Sequence, residues 1–120
     1  MSSLITSNIS DGTTSVPTGY VVNGSAKAWV NFNGTAFGVR DSNNVSSMTD
    51  DGTGLYTVNF SSAFAAANQA MSASSVTGGT VVALALRGTV ATTYALLIAA
   101  GTGGALDRSD NAAAFHGDLA

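Results

Sequence analysis

The side chains best suited to catalysis are few and widely separated in this sequence. His116 is the single histidine and the chain holds no cysteine, so one imidazole would have to serve as the base of any nucleophilic triad. No G-x-S-x-G context marks a serine as its nucleophile. We therefore predict that His116 is a surface or interface residue and that the chain is not an enzyme.

All seven acidic residues are aspartates, and their contexts are typical of turns. Asp50 and Asp51 are adjacent, so in a strand they would point to opposite faces of the sheet, whereas Asp-Gly is a hairpin signal. Neither "DDGTG" (50–54) nor "DRSD" (107–110) has the spaced oxygen ligands that calcium requires. We expect no metal and no cofactor. A glycosidase needs two flanking carboxylates, and the seven aspartates leave that reaction formally open.

Trp29 is the only tryptophan, and it lies in the stretch "GSAKAWVNFNGT" (24–35), where apolar and polar residues alternate. The alternation predicts a strand with Ala28, Val30 and Phe32 on one face and Trp29 on the other. Trp29 is either a platform for sugar stacking, part of a sheet buried on both faces, or an anchor between subunits. Tyr94 is a second candidate for a subunit or ligand contact.

The composition excludes several partners. Charged residues are only 9% of the chain, with four basic side chains and a net charge of −3, so we expect no nucleic-acid binding. The first twenty residues have no basic region followed by an apolar one, and the sequence predicts no signal peptide. The apolar region 80–100 contains Arg87 and Gly88, and we expect no membrane partner.

The elements that position these residues are short strands and turns, and we predict an all-β, single-domain β-sandwich of jelly-roll type. The predicted strands are Gly24–Asn33, Ala36–Asp41, Leu55–Phe60, Met71–Val76, Thr80–Arg87, Thr92–Ala100 and Asn111–Asp118, with a hairpin over Thr49–Gly54. Continuous apolar runs in 80–87 and 92–100 indicate strands buried on both faces. The alanine-rich segment Ala63–Ala70 predicts a short helical turn.

Residues 1–19 are polar except for Leu4, Ile5, Ile9 and Val16. We predict an extended N-terminal arm that docks on a partner through these four residues, and the alternative is a frayed terminus. Residues 20–120 form the predicted knob domain.

Sheet edges in a monomer are often protected by lysine or proline, and this chain has one of each. Uncharged windows such as "TVVALAL" (80–86) would aggregate if exposed. The edges must therefore be covered by closure or by partners, and we expect an oligomer.

The strings "VVNGSAKAWVNFNGT" and "VRDSNNVSSMTDDGTGLYTVNFSSAF" resemble a domain found in virion proteins of tailed phages, usually at the C-terminus of tail fibres. The resemblance covers about Tyr20–Phe64 and reappears in the closing "AFHGD", whereas Ala65–Asp110 departs from it. It implies a compact, non-enzymatic β-domain that forms a homotrimer.

Because the arm-like segment precedes the domain and no shaft does, we expect a capsid decoration or cement protein of the head-fibre type. Its partners would be other copies of itself and the major capsid protein or another virion protein, on the capsid surface. The alternative is a tail-fibre tip that recognises a host surface glycan, and a third interpretation is a depolymerase. Hundreds of copies per virion would favour decoration, and a handful would favour a fibre tip.

Overall fold

The structure is a computed structural model that describes residues 2–77, 80–88 and 91–120; Met1 of the predicted arm lies outside the described residues. Strands account for 57% of the described residues and helix for 6%, which confirms the all-β prediction. In chain order the elements are β1 (Asn8–Ser10), β2 (Ser15–Pro17), α1 (Thr18–Gly24), β3 (Ala28–Asn33), β4 (Gly38–Asn43), β5 (Val45–Gly52), β6 (Leu55–Phe60), β7 (Ala70–Thr77), β8 (Thr80–Leu86), β9 (Tyr94–Gly101), β10 (Gly104–Ala105) and β11 (Asp110–His116).

One large antiparallel sheet contains β3 to β11, in the order β4-β3-β11-β7-β8-β9-β6-β5, with β10 beside β9. The sheet is nearly closed into a barrel. Its two end strands, β4 and β5, follow one another in the chain and separate at Asn44, which adopts a φ of 55°. The Asn44 side chain donates to the carbonyl of Ser62 at 3.0 Å and accepts from the Ser62 amide at 2.6 Å, which fixes the corner.

The core fills the inner face of this sheet, and alternate residues of β3, β6, β9 and β11 contribute most of it. The predicted stripe of β3 (Ala28, Val30, Phe32) is buried, and so is the stripe of β6 (Tyr56, Val58, Phe60). Leu84, Ala95, Leu97, Ala99, Ala113, Phe115 and Phe64 complete the buried cluster. Period-two burial of one face is the pattern of a half-buried antiparallel strand, so the predicted stripe of β3 is confirmed.

The prediction that 92–100 is buried on both faces is wrong. In β9, Leu97 is fully buried, but its neighbours Leu96 and Ile98 are half-buried on the opposite face. Burial along β9 therefore alternates, as it does along β3, β6 and β11. The sequence hides the alternation because apolar residues also occupy the outer face.

The predicted helical turn over Ala63–Ala70 is also wrong. Phe64 is buried against Phe60, with ring centroids 5.0 Å apart, and forms an isolated bridge with Leu119. The amide of Ala65 donates to the carbonyl of Asp118 at 2.7 Å. Burial of a large aromatic side chain and pairing with the C-terminal residues outweigh the high helix propensity of alanine, which amounts to less than about 1 kcal/mol per residue.

The closing strand β11 lies inside the sheet, where it pairs with β3 on one side and with β7 on the other. The end strands β4 and β5 carry register shifts and charged residues, among them Arg40 and Asp51. Bulges and charges hinder the pairing of an edge with another chain. Near-closure and blunted ends therefore protect much of the backbone within one copy.

Candidate functional site

The N-terminal arm, defined here as residues 2–24, comprises the β1–β2 hairpin and α1 rather than one extended strand. Ile9 and Val16 are cross-strand partners in the hairpin. Its turn is fixed by Asp11, whose carboxylate accepts from the amides of Thr13 at 2.9 Å and Thr14 at 2.7 Å. These backbone hydrogen bonds, chiefly that from Thr14, lower the pKa of Asp11 below its usual 3.8.

The helix α1 connects this hairpin to the barrel, and Lys27 secures the connection. The ammonium of Lys27 donates to the carbonyl of Ser25 at 2.9 Å and to the carbonyl of Val22 in the last turn of α1. A cation at this end satisfies carbonyls that lack helical partners. The amide of Lys27 also donates to the carbonyl of Phe115 in β11 at 2.9 Å. The only lysine of the chain thus connects the arm to the barrel through its backbone and side-chain hydrogen bonds.

The arm exposes most of its large apolar side chains. Leu4 is 87% exposed, Ile5 94% and Tyr20 74%, and Ile9, Val21 and Val22 are also exposed. Val16 is half-buried. Leu4, Ile5, Ile9, Val21 and Val22 line a concave surface of about 340 Å³. A contiguous apolar surface of this kind, with Asp11 as the arm's only charged residue, is typical of a docking site.

Three of the four predicted docking residues, Leu4, Ile5 and Ile9, therefore share one surface. The residues of α1 that extend it, Val21 and Val22, were not predicted, because the sequence places the start of the knob at residue 20. The predicted boundary between the arm (1–19) and the knob (20–120) falls inside α1, and this division into domains stays a prediction. The "SDGT" sequence (10–13), an Asp-Gly pair between apolar residues, was the available signal for the hairpin.

The residues considered for catalysis do not come together. His116 is half-buried on β11 opposite Ala70 of β7. Asp50 accepts from the amide of Gly52 at 3.2 Å, a local contact at the register shift near the end of β5. Asp51 accepts from the Thr57 hydroxyl at 2.5 Å and forms an ion pair with Arg87 at 3.0 Å. Within residues 2–77, 80–88 and 91–120, no three His, Cys, Asp or Glu side chains are grouped as metal ligands.

The two aspartates of "DRSD" have separate structural contacts. Asp107 accepts from the buried hydroxyl of Tyr56 at 3.0 Å and from the amide of Gly54 at 2.7 Å. Asp110 pairs with Arg40 at 3.2 Å, and Arg40 also bonds the carbonyl of Ser109 at 2.5 Å. Both aspartates join segments that are distant in sequence, so they serve the fold.

Trp29 and Tyr94 occupy different parts of the sheet. Trp29 is 37% exposed on the outer face of β3, beside Ala114 of β11. Tyr94 begins β9 and pairs with Asn59 of β6, and three strands of the sheet order lie between β3 and β9. The two aromatic residues therefore do not form one site.

Comparisons with protein-family models, with curated proteins and with solved structures found no match to this chain. Among the described residues, no helix has the length and apolar character needed to cross a membrane.

Proposed function

We propose that this chain is a non-enzymatic structural protein of a bacteriophage virion, which docks on the capsid exterior as a homotrimeric decoration or cement protein. The observation that carries the docking role is the apolar surface of the arm, where Leu4 and Ile5 are almost fully exposed. The resemblance of residues 20–64 to virion β-domains supports the particle as the place of docking.

The hydrogen bonds of the arm favour docking over a frayed terminus. Thr18 bonds the carbonyl of Ser7 through its amide at 2.9 Å, and its hydroxyl bonds the carbonyl of Thr6 at 2.8 Å. With the Asp11 turn and the Lys27 contacts, these bonds order the arm before it meets a partner. A preformed surface loses less conformational entropy on binding than a flexible chain does.

We also propose that the fold is a two-layer sandwich of jelly-roll type and that the chain assembles as a homotrimer. Because near-closure and bulges already protect much of the backbone, the neighbouring copies would cover apolar side chains rather than strand edges. Light scattering should give a mass about three times the 11.9 kDa of one chain. A monomer at micromolar concentration would refute assembly, and a stable dimer would refute only the number three.

The docking role is tested by substituting Leu4→Ser and Ile5→Ser together in the full chain. Burying two such side chains stabilises a complex by about 3 kcal/mol or more, so incorporation into particles should fall more than tenfold. Stability of the free protein should change by less than about 0.5 kcal/mol, because both residues are exposed. The control is Leu119→Ser, which changes an exposed leucine of the body. Full occupancy by the double variant would show that docking belongs to the knob.

The alternative, a tail-fibre tip that recognises host glycan, differs in stoichiometry. Quantitative mass spectrometry of purified virions should give hundreds of copies for a decoration protein and a handful for a fibre tip.

The absence of catalysis is tested by His116→Ala, Asp50→Ala and Asp51→Ala, singly and together. If the wild-type chain degrades host polysaccharide and any of these variants loses that activity, the non-enzymatic proposal fails.

A further inference from the structure

A shallow trough crosses the outer face of β3, β11 and β7, on the opposite side of the sheet from the core. One row of paired residues is Trp29, Ala114 and Ser72, and the next row is Asn31, Ala112 and Ser74. Alanine in both rows of the central strand leaves a floor about 10 Å wide between the flanking strands, since neighbouring strands lie about 4.8 Å apart. The trough has a volume of about 490 Å³.

The walls of this trough combine an aromatic ring with small hydrogen-bonding groups and carry no charge. Within the described part of the chain, no hydrogen bond engages the side chain of Trp29, Ser72 or Ser74. Charged groups lie at the β4 edge of the trough, where Arg40 donates to the Asn31 side chain and pairs with Asp110, and Asp41 is the cross-strand partner of Asn31. The residues that line the trough are all uncharged, so its floor and walls offer a neutral surface to a ligand.

We infer that the Trp29 trough is a binding site for a neutral glycan, independent of whether the protein sits on a capsid or on a fibre. The indole offers an apolar surface to the C–H face of a pyranose ring, and the indole N–H, the two serine hydroxyls and the Asn31 amide can bond its hydroxyl groups. Sites for small ligands have this composition, an aromatic or apolar lining with a few polar groups.

The same chemistry disfavours the other occupants of such a face. A nucleic acid needs phosphate contacts, which an uncharged lining on a chain of net charge −3 does not supply. A second copy of this chain would place the same serine and asparagine groups in a dry interface, where those without partners are costly.

Fluorescence of Trp29, the only tryptophan, reports directly on occupancy of the trough. The probes are maltohexaose, cellohexaose and mannohexaose, with an oligogalacturonate of the same length as the charged comparison. At least one neutral probe should change the emission with saturation at millimolar concentration or below, and the oligogalacturonate should not. If no neutral probe changes the emission, or if only the oligogalacturonate does, the inference is overturned.

Two alanine-to-leucine variants separate binding in the trough from effects on the fold. Ala114→Leu fills the floor and should weaken binding of the responding glycan at least tenfold. Ala85→Leu, at an exposed alanine of β8, should leave it unchanged, as should Tyr94→Ala. Equal affinities of the two leucine variants would overturn the inference. The inference would also be overturned if the Trp29 emission changed with protein concentration but not with added sugar. That result would assign Trp29 to a contact between copies of the chain. These measurements do not involve incorporation into particles. A negative result would therefore reject glycan binding in the trough without bearing on the docking role of the arm.

Discussion

Removing the hydroxyl of Tyr56 tests how the segment after β10 is held against the barrel. Tyr56 is fully buried, and its hydroxyl donates to the Asp107 carboxylate at 3.0 Å. The Tyr56→Phe variant keeps the ring, which packs edge-on against Phe32 at 4.8 Å and stacks with Phe37 at 6.0 Å. The substitution therefore isolates one hydrogen bond.

A hydrogen bond to a charged acceptor contributes about 1.5–3 kcal/mol, and Tyr56→Phe should lower the free energy of unfolding by that amount. The Asp107→Ala variant also removes the bond from the amide of Gly54, which is 2.7 Å long, and should cost about 3 kcal/mol or more. The effect of the double variant should fall short of the sum of the two, because both single changes remove the same Tyr56–Asp107 bond.

Urea unfolding at a fixed protein concentration, followed by Trp29 emission, measures these differences. Tyr94→Phe is the matched control, since Tyr94 is exposed and its hydroxyl should contribute less than about 0.5 kcal/mol. A loss below about 0.5 kcal/mol in Tyr56→Phe would refute the reasoning, since that change is no larger than the one expected for an ordinary surface substitution.

The pH dependence gives a second check on the same bond. Burial raises the pKa of Tyr56 well above its usual 10.0, and the hydrogen bond to Asp107 and the Asp107 charge add to the increase. The unfolded chain loses this proton as the pH rises past about 10, whereas the folded chain retains it. Above pH 10 the free energy of unfolding of the wild type should therefore fall faster with pH than that of Tyr56→Phe. The difference in free energy of unfolding between the two proteins should become smaller as the pH rises.

Three further predictions concern the backbone. Asn44→Ala should cost about 2–4 kcal/mol in urea unfolding, because it loses two bonds to Ser62 and strains a positive φ, whereas Asn44→Gly should cost less. Gly54→Ala should lower the thermal midpoint sharply, because its Cβ would lie 2.6 Å from a backbone nitrogen at a φ of +68°; Gly103→Ala, at +101° with open space, is the milder control. The Asp11 turn should stay intact above pH 3.8 and loosen as the pH falls through its lowered pKa, visible as NMR shifts of the turn amides.

The inner stripes and the central hairpin were predictable because their signals are local. Ala28, Val30 and Phe32 repeat at the period of a strand, and the Asp-Gly pair before Leu55–Phe60 indicates a hairpin. The hairpin forms there, but its turn residues are Thr53 and Gly54, and Asp51 and Gly52 belong to β5. Both signals reflect constraints that act within about ten residues. The strand-order relationships that place β11 between β3 and β7 depend on pairing across the whole chain, which no local pattern encodes.

The contacts of "DRSD" show the same limit for the polar residues. Asp107 and Tyr56 are 51 residues apart in sequence, and Arg40 reaches Ser109 across 69 residues. No local feature of the sequence indicates that an aspartate in a turn-like context and a tyrosine in a strand will form a hydrogen bond. The bulge at Arg40 of β4, opposite Asn31 and Phe32 of β3, is also not detectable from the alternation of the sequence.

The distribution of apolar surface separates the two parts of this chain. In the barrel, the large apolar residues of the inner stripes are covered by their own sheet, so substitutions there should act first on folding. In the arm, Leu4, Ile5 and Tyr20 have no such cover, and the hairpin and α1 are held by backbone and polar side-chain hydrogen bonds instead. Because these bonds do not depend on the exposed apolar groups, polar replacements in the arm should affect association and leave folding intact. If the same replacements unfolded the barrel, the arm would be part of the core and the docking role would lose its physical basis.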